Sequence, residues 1–284
     1  MIFAAKYHGF GNDFVIVSSD QVLDDQLSGL ARAICDPHFG IGADGCVYVG
    51  RESEEGIPIR IFNQDGSEAG MSGNGARCAA AFVHHRKLAR SDSLTFQTSS
   101  GPKGYHLLEE SFPVWRYRSA MGVAEFRPGR IPCTLARDLP AVEGTELELG
   151  ERVVHLWAVN VGNPQCGIFC AALPDDEAFH AIGSALTSHP VFPEGTNISF
   201  IEVQDRNRVR IRIWERGVGP THSSGTGCCG AALLSIRAGK VETPVEVVTE
   251  TGSQVVEWDG SGEIALTGDA EFIGDIHFYW RDAS

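Results

Sequence analysis

No hydrophobic run in the 284 residues approaches the ~18–20 that a membrane-spanning helix needs, so a helical membrane protein is excluded. The opening stretch, Met1 to Phe14, lacks the charged start, apolar run and cleavage pattern of a signal peptide. The expected compartment is therefore the cytoplasm, where thiols stay reduced. Basic residues are scarce. With 23 Lys and Arg against 37 Asp and Glu, the net charge of −14 argues against a general nucleic-acid or anionic-membrane binder. A small anionic substrate stays open, because one site can be locally positive. Cysteine pairing signals are also missing. The eight cysteines, at 35, 46, 78, 133, 166, 170, 228 and 229, contain no Cys-x-x-Cys, and neither a structural zinc nor a disulfide framework is expected.

The composition, 43% hydrophobic and 21% charged, is that of a chain with a real core, in one large domain or two smaller ones. Its 33 glycines ask for many turns or for backbone packed close to a ligand. Segments rich in β-branched and aromatic residues read as strands: Phe14–Val17, Cys46–Val49, Ile59–Phe62, Leu94–Gln97, Val153–Val159, Ile198–Val203, Val209–Trp214, Val245–Val248 and Ile276–Trp280. Helical patterns are fewer: Leu23–Ile34, Gly75–Leu88, Asp175–Leu186 and Thr226–Ala238, the second and last being rich in small residues. Strands outnumber helices without regular alternation, which predicts an α+β, barrel-like design over a doubly wound nucleotide fold.

The chain also repeats itself. Ile59-Arg60-Ile61-Phe62 returns as Ile211-Arg212-Ile213-Trp214, and Ser72-Gly73-Asn74-Gly75 returns as Ser224-Gly225-Thr226-Gly227, both offset by 152 positions. Each Ser-Gly-x-Gly is followed by Ala-Ala seven and eight residues after the serine. Gly11-Asn12 returns as Gly162-Asn163, and Thr98-x-x-Gly101 as Thr249-x-x-Gly252, both offset by 151. Four matches in order at nearly one offset indicate two similar domains of about 150 residues, too long a period for a solenoid. The boundary is expected near Pro113–Tyr117. One half is then 1–116, rejoined by about 271–284, and the other is 117–270.

Each half reads strand, turn, Ser-Gly-x-Gly, small-residue helix. A glycine-flanked helix start leaves backbone N–H groups free under the positive end of the helix dipole, a setting for phosphate or carboxylate. Alternatively the glycines serve close packing, with Ser72 and Ser224 as N-caps. Two other signals carry little. Gly40-Ile41-Gly42-Ala43-Asp44-Gly45 fits a dinucleotide fingerprint, but it precedes a strand rather than a helix. The glycosylation pattern Asn197-Ile198-Ser199 has no secretion signal to support it. His84-His85, beside Arg86 and Lys87, reads as a solvated helix C-terminus favoured by the dipole.

The motifs His8-Gly9-Phe10-Gly11-Asn12-Asp13-Phe14, Gly40 to Gly45, Asn63-Gln64-Asp65-Gly66-Ser67, Gly73-Asn74-Gly75-Ala76-Arg77-Cys78, Gly162-Asn163-Pro164, Glu215-Arg216-Gly217 and Gly225-Thr226-Gly227 together resemble the diaminopimelate epimerase family, in its order and nearly its spacing. The resemblance implies two pseudo-symmetric domains, each a strand-rich barrel around a central helix, with the active cleft between them. It implies inversion at an amino-acid α-carbon without cofactor or metal, interconverting LL- and meso-diaminopimelate for lysine and peptidoglycan precursors. A small zwitterionic substrate, no nucleic-acid or membrane partner, and a homodimer as a possible assembly follow from the same resemblance. Asn12, Asn63, Asn163 and Asn197 would bind the distal end or the α-groups. Glu215 and Arg216 would meet the distal ammonium and carboxylate. Gly73, Asn74, Gly225 and Thr226 would offer backbone N–H groups to the reacting carboxylate.

The chemistry itself departs from the pattern. Two cysteines act as paired acid and base in that family, and the matching positions here are Ser72 and Ser224. Gln165 stands where His is usual, and Pro220 where Glu is usual. A serine hydroxyl is far less acidic than a thiol, and each pKa unit costs about 1.4 kcal/mol. Cys229 matches a family cysteine outside the catalytic pair, so neither it nor Cys228 replaces one. Gln165 and Pro220 depart together with the serines, which fits natural divergence better than a targeted pair of Cys→Ser changes. Two alternatives stay open: a related racemase, dehydratase or isomerase of another small acid, or a catalytically inactive amino-acid-binding homologue.

Overall fold

The computed structural model describes residues 1–136, 138–150 and 152–281, which fall into two compact units, Met1–Ser119 with Gly268–Ser284, and Ala120–Thr267. The last three residues of the expected first half, 282–284, lie outside the described residues.

The first unit runs β1 (Ile2–Gly9), β2 (Asn12–Ser18), α1 (Leu27–Cys35), β3 (Gly45–Val49), β4 (Ile57–Asn63), β5 (Glu68–Ala69), α2 (Gly73–His85), β6 (Ser93–Thr98), β7 (Gly101–Ser111) and β8 (Val114–Val123). The remaining elements are β9 (Thr145–Leu149), β10 (Arg152–Asn160), β11 (Pro164–Cys170), α3 (Asp176–Thr187), β12 (Asn197–Asp205), β13 (Arg208–Glu215), β14 (Gly219–Thr221), α4 (Gly225–Arg237), β15 (Val245–Thr249), β16 (Gly252–Glu257) and β17 (Glu263–Phe278).

Pairing in the first unit is antiparallel for β1–β2, β3–β4, β6–β7 and β7–β8, and parallel for β2–β3 and β4–β6. Parallel neighbours need a crossover, and α1 and α2 supply the two. β17 bonds to both β8 and β1, which closes eight strands into a barrel without free edges. The second unit repeats the scheme. β10–β11, β12–β13, β15–β16 and β16–β17 are antiparallel, while β11–β12 and β13–β15 are parallel across α3 and α4. The four sequence matches are therefore the trace of a duplicated topology.

The strands bury both faces. In the first unit Ile16 and Val47 point at α2, while Val15, Val17, Cys46 and Tyr48 point at Leu30 and Ile34 of α1. In the second, Val209, Ile211 and Ile213 face α4, while Ile198 and Phe200 pack with Phe179 and Leu186 of α3. α2 and α4 are the central helices. All of Ala76–Val83 and Gly227–Ser235 is buried, which explains why these stretches are mostly small and apolar, the buried Arg77 being the exception.

The structure corrects the reading of His84 and His85 as solvated. His84 Nδ1 is 2.7 Å from the Tyr117 hydroxyl and its Nε2 is 3.0 Å from the Ser91 carbonyl oxygen. His85 Nδ1 is 2.7 Å from the Tyr7 hydroxyl, and its ring packs on Trp115 and Phe272. Burial, helped by Arg86, lowers the pKa of His85. The aromatic wall of the barrel outweighs dipole stabilisation of a charged imidazole.

Candidate active site

The expected site residues gather at corresponding places in the two units. Gly11 (φ +85°) and Gly162 (φ +100°) take the positive φ that turns β1 into β2 and β10 into β11. Asn12 and Asn163 follow directly. In the first unit Asn74 Nδ2 donates to Asn12 Oδ1 at 3.3 Å. In the second, Asn163 Nδ2 donates to Thr226 Oγ1 at 3.3 Å. Asn74 and Thr226 are matched positions of the repeat, so each unit ties its turn Asn to the start of its central helix.

Ser72 and Ser224 are the N-caps of those helices. Ser72 Oγ accepts from the Gly75 amide at 3.1 Å and Ser224 Oγ from the Gly227 amide at 3.3 Å. The two backbone carbonyls take the amides of Ala76 and Cys228 at 2.9 Å. Gly73, Asn74, Gly225 and Thr226, the positions assigned to a carboxylate, are then the first-turn residues whose N–H groups have no acceptor within the helix. Dipole and orphan donors coincide there, a setting for a negative oxygen.

Asn63 stands apart from this group. It ends β4, and its Nδ2 donates to Ser67 Oγ at 2.9 Å. Asn197, buried on β12, donates to the Pro164 carbonyl at 3.2 Å and accepts the Arg216 amide at 2.9 Å, so it fixes backbone around the second turn. That burial also removes it from consideration as a glycan acceptor. Glu215 accepts from Thr221 Oγ1 at 3.2 Å, whereas the exposed Arg216 sends Nη1 to the Glu194 carbonyl at 2.5 Å. Pro220 lies in β14 opposite Trp214.

Two participants are not evident from residue type alone. Asp44 Oδ2 accepts from Asn12 Nδ2 at 2.7 Å and from the Asp13 amide at 3.1 Å, and Asp13 Oδ1 takes the Asp44 amide at 2.9 Å. Lys6 closes this lattice through Asp13 and the Gly42 carbonyl, each at 2.6 Å. The segment that mimics a dinucleotide loop thus braces the Asn12 turn. Gln165 is the other participant, donating Nε2 to Asn163 Oδ1 at 2.7 Å.

The remaining cysteines do not supply a reactive thiolate at this site. Burial pushes the thiols of Cys35 and Cys78 up to about 12 and also raises Cys46, Cys133, Cys166 and Cys170. Cys228 and Cys229 are completely buried in α4.

Known proteins share this architecture. A phenazine biosynthesis protein of the PhzF family from Bacillus anthracis superposes with a TM-score of 0.70, covering 98% of this chain and 99% of its own at 15% identity. A probable proline racemase from Agrobacterium radiobacter K84 does so with a TM-score of 0.67, over 100% and 94%, at 13% identity. The fold is therefore the one on which such racemases and phenazine biosynthesis proteins are built. The diaminopimelate epimerase of Desulforudis audaxviator is 38% identical over 274 residues, 95% of this chain and 96% of its own. That of Pelotomaculum thermopropionicum is 37% identical over 278 residues, 97% and 98%. The family pattern described as diaminopimelate epimerase matches residues 4–126 and 157–273. The chain belongs to the diaminopimelate epimerase family.

Proposed function

We propose that this chain is a pyridoxal-phosphate-independent epimerase that interconverts LL- and meso-diaminopimelate, with Ser72 and Ser224 at the two base positions. Full-length membership of the family carries the reading. The duplicated helix starts supply a physical reason: orphan N–H groups at Gly73, Asn74, Gly225 and Thr226 suit the carboxylate whose negative charge grows as the α-proton leaves. Asn12, Asn63, Asn163, Asn197, Glu215 and Arg216 would hold the rest of the zwitterion. No described helix is long and apolar enough to cross a membrane. No two of the eight cysteines are joined in a disulfide, which supports placing the reaction in the reducing cytoplasm.

In the step itself, one side chain takes the α-proton and a second delivers a proton to the opposite face, so charge and mass balance over the cycle. A serine cap is a weak base for this. A helix start offers roughly 0.3–2 kcal/mol to an anion, about one pKa unit at 1.4 kcal/mol each, which leaves the hydroxyl protonated near neutral pH. Binding is therefore expected to survive better than turnover.

The test is NMR in D₂O, following loss of the α-proton signal of LL- and meso-diaminopimelate with the parent and with Ser72→Cys/Ser224→Cys. Exchange by the parent supports turnover through serine. Exchange by the double variant alone would make the parent an amino-acid-binding homologue that lacks its bases. Silence and no binding from both folded proteins would overturn the reading.

A further inference from the structure

Gln165 is 2% exposed on β11, and its stem is fixed by the facing helix. A Cβ on Gly230 of α4 would come within 2.8 Å of Gln165 Cβ and 2.9 Å of its Cγ, so strand and helix are spaced for glycine on one side and this side chain on the other. Nε2 donates to Asn163 Oδ1 at 2.7 Å. Asn163 then turns Nδ2 to Thr226 Oγ1 at 3.3 Å, and that oxygen lies 3.5 Å from Ser224 Oγ. Gln165 Oε1 is buried without a hydrogen-bond partner.

The first unit holds its matching residue the other way round. Asp44, a carboxylate that only accepts, takes Asn12 Nδ2 at 2.7 Å, leaving Asn12 Oδ1 to receive from Asn74. One repeat thus directs its Asn with an acceptor and the other with a donor. Asp44 can only accept, whereas the Gln165 amide carries both a donor and an acceptor, so what Gln165 fixes is the place of the Asn163 side chain between itself and Thr226.

We infer that Gln165 is a positioning residue that holds the Asn163 side chain against Thr226 and the start of α4, through hydrogen bonds that carry no titrating proton. The inference rests on the proposed epimerase site for its kinetic consequence, though not for the hydrogen bond itself. A packing role alone does not account for the residue. Methionine would fill the same volume without burying an unmet oxygen, which incurs the desolvation of that group with nothing in return.

The experiment is a cycle of Gln165→Met, Asn163→Ala and the double variant in the full chain, read by three measurements. The Asn163 side-chain amide signal in ¹H–¹⁵N spectra, identified by its loss in Asn163→Ala, is expected to shift in Gln165→Met. The melting temperature is expected to hold within about 3 °C or to rise. KM for α-proton exchange, or Kd for diaminopimelate where exchange is too slow, is expected to rise about tenfold, more than kcat falls. In the Asn163→Ala background Gln165→Met is expected to add nothing, because the effect passes through Asn163. An unmoved amide signal, additive effects, or a lowered melting temperature with KM unchanged would overturn the inference. If diaminopimelate neither binds nor exchanges even with Ser72→Cys/Ser224→Cys, the epimerase reading fails, and the amide signal still decides whether Gln165 orients Asn163.

Discussion

Ser72 Oγ accepts the Gly75 amide at 3.1 Å, a relationship that Ser224 and Gly227 repeat at 3.3 Å in the second unit. The side chain at each proposed base position is therefore also the cap of a central helix. Removing the hydroxyl should affect stability as well as chemistry. Ser72→Ala and Ser224→Ala are each expected to lower the unfolding free energy by about 0.5–2 kcal/mol, checked by urea denaturation. A loss close to zero in both would mean that the caps contribute nothing to these buried helices.

Thiol chemistry gives a second test. With six thiols raised by burial and Cys228 and Cys229 enclosed in α4, the folded chain is expected to react with a thiol reagent at pH 8 far more slowly than the urea-unfolded chain. Ser72→Cys/Ser224→Cys should add fast-reacting groups at the two helix starts. Fast reaction of the parent would show that one native cysteine has a thiolate after all.

The same burial sets an alkaline limit. Below pH 9 the thiols of Cys35 and Cys78 are protonated in both folded and unfolded chains, and their contribution is fully present. Above pH 9 the unfolded chain releases these protons while the folded chain keeps them until about 12. Stability is therefore expected to fall steadily from pH 9 toward pH 12, and urea midpoints measured across that range check the slope. Cys78→Ala should flatten it. An unchanged slope in that variant would remove Cys78 from the cause.

Much of the architecture is legible in residue order, for identifiable reasons. The four helices announce themselves through periodic apolar positions or small-residue runs, and the duplication through the Ser-Gly-x-Gly repeats. Other elements hide. β11 opens with Pro164 and contains Gly167, residues that signal turns; yet Gly167 is where a Cβ would meet Leu234 Cδ1 at 2.7 Å, so the glycine serves close packing of α4 against the strand. β7 is largely exposed and polar, with little alternation to betray it. Residue types single out Asn12 and Asn163 as candidate site residues but not the partners that hold their amides. Those partners are Asp44, far along the chain, and Gln165, whose departure from the family pattern is visible while its bond to Asn163 is not.

Asp44 supplies a further test. Its carboxylate holds Asn12 and the Asp13 backbone together, so Asp44→Ala should loosen the first unit's turn and weaken diaminopimelate binding about tenfold by calorimetry. Asp44→Asn keeps an acceptor oxygen and should retain more affinity than the alanine variant. Equal loss in both would assign the effect to charge, through Lys6 and Asp13, instead of to the hydrogen bond.

Duplication also predicts where matched residues have ceased to be equivalent. Arg60 and Arg212 occupy the same place in the repeated Ile-Arg-Ile. Arg60 is 41% exposed in its side chain and pairs with Glu68 across β4 and β5. Such a surface pair is worth about 0–1 kcal/mol. Arg212 is 18% exposed, lies 4.0 Å from the Phe179 ring centroid, donates to the Pro174 carbonyl at 2.9 Å, and meets Asp176 at 2.8 Å and Glu250 at 3.4 Å. It pins the start of α3 to β13, and its loss would leave the Pro174 carbonyl and the Asp176 carboxylate without it, while Glu250 keeps only the His222 ring. Arg212→Met is therefore expected to cost about 2–4 kcal/mol against about 1 kcal/mol or less for Arg60→Met, as measured by urea unfolding. Equal costs would mean that the packing around Arg212 contributes no more than an exposed ion pair.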